Sequence, residues 1–146
     1  MKKLGKSSKK GFTLVELIVV IVILAVLAAM LVPALIGYID RARKEKDYQA
    51  ASVVYAAAQA AITEAYAKGD IKNKAEVTIT QSGSKFDGTV DYGPIVKELA
   101  GVDDKVEEFS FTTDANLVIQ TGTVKINNGG STVTYELKDD GSWGVA

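Results

Sequence analysis

The feature that most constrains this chain is an uncharged segment near its N-terminus, Leu17 to Ile36, which contains twenty residues. Only Pro33 in this segment lies outside the apolar class, and the nearest charged residues on its two sides are Glu16 and Asp40. With a rise of about 1.5 Å per residue, the segment as a helix would be about 30 Å long, which matches the hydrocarbon core of a bilayer. The segment therefore predicts a helix that can span a membrane.

A basic leader precedes this segment, because residues 1–11 contain five lysines and no acidic residue. Lysines beside a hydrophobic span favour the cytoplasmic side, so the C-terminal part is expected outside the membrane. Residues 12–146 contain 12 basic and 18 acidic residues, a net charge of −6. Nucleic-acid-binding proteins concentrate basic residues on their folded part, so we expect no nucleic-acid partner.

A cleaved secretory signal peptide is an alternative interpretation of the same pattern. It would have the lysines as its basic region and Ala28 and Ala29 as small residues at the cleavage site. The apolar run is longer than that of an ordinary signal peptide, and helix-compatible sequence continues beyond it without a turn signal. An uncleaved anchor is therefore favoured.

Histidine and cysteine are absent from the chain. Their absence excludes disulfides, thiolate nucleophiles, thiol-based zinc sites and imidazole general bases. The sequence has no dinucleotide-binding, Walker A or nucleophile-elbow motif. The acidic pairs Asp103-Asp104 and Asp139-Asp140 lack the EF-hand spacing and are interpreted as ordinary turns. We therefore expect no catalytic residue, no metal, no cofactor and no enzymatic activity.

Residues 10–18 read KGFTLVELI. With the basic leader before it and the apolar run after it, this stretch resembles the class III signal of type IV prepilins, in which a membrane-embedded aspartic prepilin peptidase cuts after the glycine and methylates the exposed phenylalanine. The resemblance implies cleavage between Gly11 and Phe12 and N-methylation of Phe12. It covers about residues 1–70, and the remainder of the chain is compatible with it.

Glu16 is the one acidic residue at the border of the apolar run. A charged side chain costs about 2.5–3.5 kcal/mol at the bilayer centre and less near the interface, so Glu16 either lies hydrated among headgroups or needs a counter-charge. The resemblance implies that Glu16 pairs with the amino terminus of a neighbouring subunit. Such a pair offsets two desolvation costs and favours one register between staggered helices.

The helical pattern continues beyond the apolar run. Segment 50–67 is rich in alanine and has no glycine or proline, and Lys68 and Gly69 form a helix-stop signal. A helix over residues 12–68 would be about 85 Å long. Its C-terminal half has one stripe of helical spacing, formed by Tyr48, Ala51, Tyr55, Ala58, Ile62 and Ala65.

Three features interrupt the uniformity of this helix. Pro33 removes a backbone donor, and Gly37 follows it closely, so a kink or local melting is expected there, as the resemblance also implies. A proline tolerated in an intact membrane helix is the alternative. The charged segment 40–47 has mixed signs and is interpreted as a solvated helix face, with lateral contacts between subunits as the alternative.

After Gly69 the sequence changes to β-branched residues separated by turn formers. A short helix is predicted over Pro94–Ala100, with Pro94 at its first position. Tyr92, Phe109, Phe111, Tyr135 and Trp143 are predicted to pack on the helix stripe. The predicted strands are Glu76–Thr80, Glu108–Thr112, Asn116–Thr121, Thr123–Asn127 and Thr132–Lys138.

These elements predict an α+β fold in which one long N-terminal helix packs against a small antiparallel sheet, as in type IV pilins. The expected organisation is a cleaved leader (1–11), a transmembrane and filament-core helix (12–36), the second half of the long helix (37–68) and the sheet head (69–146). Because many Gram-negative pilins close their C-terminal loop with cysteines, this cysteine-free chain resembles Gram-positive, clostridial-like type IV pilins more closely.

The resemblance implies a major pilin that polymerises with itself into type IV pili for adhesion, aggregation and twitching-type surface motility. Its implied partners are the prepilin peptidase, the pilus assembly platform and, indirectly, the ATPases of that platform. The subunit would lie in the cell membrane before assembly and in an extracellular pilus afterwards. A pseudopilin of a type II secretion or competence system and a monomeric membrane-tethered binding module are the alternatives.

Overall fold

The computed structural model describes residues 11–102 and 104–146. The leader apart from Gly11, and Asp103 of the Asp103-Asp104 pair, lie outside the described residues. The chain divides into two compact units, Met1–Ala42 and Arg43–Ala146. The long helix α1, Leu14–Lys68, contributes residues to both.

In the first unit, the described residues form the N-terminal part of α1, and all of their side chains are exposed. The large apolar side chains between Leu14 and Ile39 are each at least 42 % exposed. The helix is continuous through Pro33 and Gly37. The isolated chain therefore shows no local melting at these positions, and melting on assembly stays a prediction.

In the second unit, α1 has a buried face that confirms the expected stripe and widens it. Tyr48 and Tyr55 are half-buried, so the centre of the buried face lies on the small residues between them. The buried residues of α1 are Asp47, Ala51, Val54, Ala57, Ala58, Ala61, Ile62 and Ala65.

The C-terminus of α1 confirms the predicted stop. Gly69 has a φ of 83°, in the left-handed region that favours glycine. The backbone N–H of Gly69 donates to the carbonyl of Tyr66 at 3.1 Å, and that of Asp70 donates to Ala65 at 2.8 Å. This pair of bonds is a Schellman motif, which satisfies carbonyls that the helix end would otherwise leave unpaired.

The second unit also contains five strands, which form one antiparallel sheet in chain order, β1-β2-β3-β4-β5. The strands from β2 to β5 are joined in sequence by short connections, with Phe109 opposite Val124 and Val124 opposite Tyr135. A second helix, α2, lies between β1 and β2. The elements are β1 Thr78–Thr80, α2 Tyr92–Ala100, β2 Val106–Thr113, β3 Ile119–Asn127, β4 Thr132–Leu137 and β5 Trp143–Val145.

Two strand predictions were wrong. The predicted strands Asn116–Thr121 and Thr123–Asn127 were separate, but residues 119–127 form the single strand β3, because Gly122 pairs with Phe111 and does not turn the chain. Residues 116–118 lie before the strand. A Cβ atom at Gly122 would lie 2.0 Å from Cδ1 of Phe111, so glycine is needed here for the close approach of the ring. The edge strand β5 was missed, since three residues are too few to show an alternating pattern.

The predicted start of α2 was also wrong. The helix begins at Tyr92, and Asp91 is its N-cap, accepting from the backbone N–H of Gly93 at 3.1 Å. The same Oδ1 atom accepts from the N–H of Ser84 at 2.8 Å. These hydrogen bonds, from Ser84 and then from Gly93, lower the pKa of the Asp91 carboxyl. Pro94 lies at the third helical position, where its lack of an N–H leaves no bond unmade.

The sheet packs on the second-unit part of α1 through the aromatic residues that the sequence indicated. Phe109, Phe111, Tyr92 and Tyr135 are at most 2 % exposed, whereas Trp143 is half-buried at the edge of the core. Phe111 meets Tyr55 of α1 edge to face, with ring centroids 6.1 Å apart. The α+β fold, with a long helix and an antiparallel sheet, is confirmed and is consistent with the type IV pilin fold.

Candidate processing and assembly site

The residues that the sequence singled out for cleavage and assembly lie at the start of α1. Gly11, Phe12 and Thr13 precede the helix, and all three are exposed. The first bond of the helix runs from the N–H of Leu17 to the carbonyl of Thr13 at 3.1 Å. The predicted cleavage position between Gly11 and Phe12 therefore lies in non-helical, exposed backbone, two residues before the first helical residue, Leu14.

Thr13 and Glu16 form reciprocal hydrogen bonds. The Thr13 N–H donates to Oε2 of Glu16 at 3.1 Å, and the Glu16 N–H donates to Oγ1 of Thr13 at 3.3 Å. This is a capping box, which satisfies two backbone donors that a helix N-terminus would otherwise leave unpaired. The carboxylate is thereby folded back toward the beginning of the helix, close to the residue that cleavage would make N-terminal.

The capping box was missed in the sequence analysis, although its signal was present. Residues 13–16 read TLVE, which matches the pattern of Ser or Thr followed three residues later by Glu or Gln. The sequence interpretations of Glu16 were hydration among headgroups or pairing with a neighbouring subunit. The structure adds a role within the chain, since Glu16 also defines where α1 begins.

Glu16 keeps acceptor capacity beyond the capping box. A carboxylate has two oxygens and about four lone-pair sites, and the backbone bond uses one of them at Oε2. The side chain is exposed in the isolated chain. The arrangement can therefore accept a second donor, such as an ammonium group, without breaking the helix cap.

The apolar helix that follows offers positions for close packing. Its small residues, like its large ones, are exposed in the first unit. At Gly37 a Cβ atom would meet nothing within 4 Å, so nothing in the isolated chain requires glycine there. The small residues that would permit close approach of another helix are Ala25, Ala28, Ala29, Ala34 and Gly37.

The exposure of one other carboxylate of α1, that of Asp47, differs from the sequence prediction. Asp47 was assigned to a solvated helix face, yet it is only 3 % exposed. Its Oδ2 atom accepts from the Tyr135 hydroxyl at 2.6 Å and from the Asn128 side-chain amide at 2.7 Å. Burial, followed by the bond to Asp47, raises the pKa of the Tyr135 hydroxyl. Asp47 therefore fastens α1 to the sheet and belongs to the core of the second unit.

The helix α1 is long and apolar enough to cross a membrane, judged by its length and composition. Among the described residues, no three His, Cys, Asp or Glu side chains are grouped as a metal site would require.

Comparison with known protein families found one match. Residues 6–32 match the prokaryotic N-terminal methylation motif, a span that includes the predicted cleavage position, Glu16 and most of the apolar run. The motif implies processing by a prepilin peptidase. Comparison with curated proteins and with solved structures gave no match. The chain thus carries, at the start of a long apolar helix and without any cysteine, the N-terminal methylation motif of the type IV prepilin class.

Proposed function

We propose that the mature chain, residues 12–146, is the major subunit of a type IV pilus that serves adhesion, aggregation and twitching-type surface motility. The methylation motif supports a type IV pilin-like or pseudopilin-like protein. The observation that carries the proposal is the helix that begins within the motif, whose apolar side chains before Asp40 are exposed and whose only acid before Asp40 is Glu16. The role is structural, with no enzymatic activity of its own.

The exposed apolar surface requires a cover other than water. Burying one large aliphatic side chain is worth about 1.5–3 kcal/mol, and the first unit exposes such side chains all round the helix. A bilayer covers them before assembly, and the same surface of other copies covers them in a filament. Contacts between two different surfaces of the same chain generate an open helical polymer when the rotation between copies does not close a ring.

Processing prepares the chain for this exchange. Cleavage after Gly11 removes five lysines, which hold the leader on the cytoplasmic side, and creates an α-amino group at Phe12. The prepilin peptidase then methylates this amine. Extraction from the membrane is driven by the assembly platform and its ATPases, since the chain has no nucleotide-binding motif.

Glu16 selects the register of the filament. Its carboxylate pairs with the methylated amine of Phe12 on a neighbouring copy, in an environment where an unpaired charge of either sign is costly. The capping box favours this pairing because it holds the carboxylate at the helix start while leaving acceptor sites open. Pro33 and Gly37 let the helix bend or melt while the copies pack.

A set of substitutions separates the charge of Glu16 from its capping role. Glu16→Gln keeps the capping box, because glutamine also serves at that position, but removes the charge. Thr13→Ala removes the side-chain half of the box but keeps the carboxylate. We expect Glu16→Gln to abolish surface pili while the subunit still accumulates in the membrane, and Thr13→Ala to retain pili. Electron microscopy of cells and immunoblots of membranes measure both outcomes, and normal pili with Glu16→Gln would refute the proposal.

The intact mass of the mature chain tests the processing step. We expect residues 1–11 to be missing and one methyl group to be present on Phe12. A mass that includes the leader, or a cut near Ala29, contradicts the proposal.

Two other functions are alternatives to a major pilin. One shares the methylation motif, and the other shares the membrane anchor. A pseudopilin of a type II secretion or competence system carries the same motif, and it is distinguished by the absence of long surface fibres that contain this chain. A monomeric membrane-tethered binding module does not polymerise, so Glu16→Ala would leave its display on the cell surface intact.

A further inference from the structure

A pocket of about 300 Å³ lies in the second unit, between α1 and the turn that joins β3 to β4. We call it the basic pocket. Its lining residues are Arg43, Lys46 and Asp47 of α1, Lys105 just before β2, and Asn127, Asn128 and Gly129 of the turn.

The basic pocket has an excess of positive charge. It is lined by three cationic side chains and one carboxylate, and Oδ2 of that carboxylate, in Asp47, already accepts from Tyr135 and Asn128. Lys46 lies beside Lys105, and the neighbouring Lys46 side chain, followed by desolvation, lowers the pKa of the Lys105 amine. Two lysine amines side by side repel each other unless an anion lies beside them.

The turn that forms one wall of the pocket is well defined. Oδ1 of Asn127 accepts from the backbone N–H of Gly129 at 2.9 Å, and the N–H of Asn128 donates to the carbonyl of Ser131 at 2.9 Å. The side chain of Asn128 is in turn held by Asp47. The pocket is therefore formed before any ligand arrives, so that binding requires little additional ordering.

A complementary acidic surface occurs elsewhere in the same unit. The exposed β4–β5 turn and the end of β4 carry three carboxylates, in Glu136, Asp139 and Asp140, and one lysine, Lys138, within five residues, so this segment has a net charge of −2. Oδ1 of Asp140 accepts from the N–H and hydroxyl of Ser142, which shapes the turn. We call this surface the acidic turn.

The two surfaces cannot meet within one copy. The basic pocket adjoins the turn before β4, whereas the acidic turn begins at Glu136, near the end of β4, and continues through Asp140. The six residues of β4, about 20 Å at 3.4 Å per residue, lie between the turn before the strand and the β4–β5 turn that carries Asp139 and Asp140. Contact between them therefore requires a second copy, and because the two surfaces differ, the contact is heterologous, the kind that generates an open chain of copies when the rotation between copies does not close a ring.

We propose that the basic pocket receives the acidic turn of a second copy of this chain, as a lateral contact between heads in the filament. This inference rests on the proposed function, because it assumes that copies assemble in one repeating arrangement. The second unit has 11 basic and 16 acidic residues, so its heads repel one another on average. A local pairing of opposite charges selects one orientation from the many that this repulsion disfavours.

Charge reversal in the full chain, expressed in cells, tests the contact. Lys46→Glu alters the pocket, and Lys44→Glu is its matched control, because Lys44 is exposed on the same helix but does not line the pocket. Asp139→Lys alters the acidic turn without removing the Asp140 cap, and Glu98→Lys, on the exposed face of α2, is its control.

We expect Lys46→Glu and Asp139→Lys each to lower the yield of sheared pili by about tenfold or more, which corresponds to 1.4 kcal/mol. Both controls should remain within about threefold of the unmodified chain on the same scale. The double variant, Lys46→Glu with Asp139→Lys, should restore the yield. Membrane accumulation of each subunit, measured by immunoblot, shows that it folds.

Other results overturn the inference. A normal yield with Lys46→Glu refutes it, as does a double variant that is not restored. A loss with Lys46→Glu but not with Asp139→Lys shows that the pocket takes a different anion, such as a lipid phosphate. If Lys46→Glu does not accumulate, Lys46→Gln replaces it, and pili of that variant should lose less mass than unmodified pili when salt is raised.

The outcome of Glu16→Gln keeps the two proposals separate. If Glu16→Gln abolishes pili while Lys46→Glu does not, only the contact between heads is wrong. If pili form normally with Glu16→Gln, the proposed function fails whatever the charge reversals show.

Discussion

The side chains that α1 exposes and buries differ between the two units of the chain. In the first unit it exposes valine, leucine and isoleucine side chains, whereas in the second unit it buries mainly alanines beneath the sheet. Proteins that fold alone usually bury their large apolar side chains. The second unit thus has a core made by its own chain, and the first unit has an apolar surface that its own described residues do not cover.

Among the acidic residues of α1, only Asp47 is buried, and Glu45 and Glu64 of the second unit are exposed. Glu16 and Asp40 are exposed in the first unit, whereas Asp47 is buried and hydrogen-bonded in the second. A buried carboxylate is tolerated when donors satisfy it, and here Tyr135 and Asn128 supply them. Asp40 and Asp47 lie seven residues apart on one helix, yet the first is exposed and the second is part of the packed interior.

Removing most of the first unit should have the largest effect, which is on the solubility and the association state of the chain. A chain that begins at residue 37 lacks the apolar surface but keeps the entire second unit, so we expect a soluble, folded monomer. Size-exclusion chromatography with light scattering measures its mass. Aggregation, or retention in membranes, would show that the second unit does not complete its own core.

Removing the buried acid should have the next largest effect. Asp47→Ala leaves the Tyr135 hydroxyl and the Asn128 amide without their partner, so we expect the free energy of unfolding to fall by about 2–3 kcal/mol. The matched substitution Asp40→Ala, at an exposed position, should change it by less than about 0.5 kcal/mol. Urea unfolding of the chain from residue 37 measures both, and equal effects would break the contrast between the two acids.

Substitution of glycine by alanine should also have different effects on stability at Gly122 and at Gly37. A Cβ atom at Gly122 would lie 2.0 Å from the Phe111 ring, so Gly122→Ala should destabilise the second unit by about 1–3 kcal/mol. At Gly37 a Cβ atom would meet nothing within 4 Å. Gly37→Ala should therefore leave the stability of the second unit unchanged. Limited proteolysis of the full chain in membranes measures both, and a protease-sensitive second unit in Gly37→Ala would contradict the division.

The smallest expected effect is confined to alkaline pH. Burial, then the bond from its hydroxyl to Asp70, raises the pKa of Tyr92 to about 12. A raised pKa means that the fold favours the protonated hydroxyl, so its stabilisation is complete below about pH 10, the value for the unfolded chain, and is lost as pH rises through 12. Unfolding of the chain from residue 37 should show this loss, and Tyr92→Phe should remove the part that Tyr92 contributes.

Much of the fold was predictable because local patterns carried it. The spacing from Ala51 to Ala65, the stop at Gly69 and the alternation in β4 each depend on neighbouring residues. Some of the errors arose where a residue outside the local pattern decides the structure. Gly122 signals a turn by itself, but the ring of Phe111 makes it part of a continuous strand. The start of α2 depends on Asp91, whose carboxylate is also held by the backbone of Ser84.

At the candidate site, the sequence indicated Gly11, Phe12 and Glu16 through one contiguous stretch, and residues 6–32 match the methylation motif. The capping role of Glu16 was equally local and was missed. The amide of Gln59, by contrast, had no sequence signal. It donates to the carbonyl of Leu117 at 2.8 Å and accepts from the N–H of Ile119 at 2.9 Å, residues about sixty positions away.

The sequence by itself determined that this chain has a membrane-length apolar helix, a methylation motif and an alternating C-terminal half, because each of these depends on the order of adjacent residues. Only the tertiary structure decided which charged residues of segment 40–47 leave water. Asp47 is buried because Asn128 and Tyr135 reach it from 81 and 88 residues along the chain, and a helical pattern contains no information about the partner packed against it.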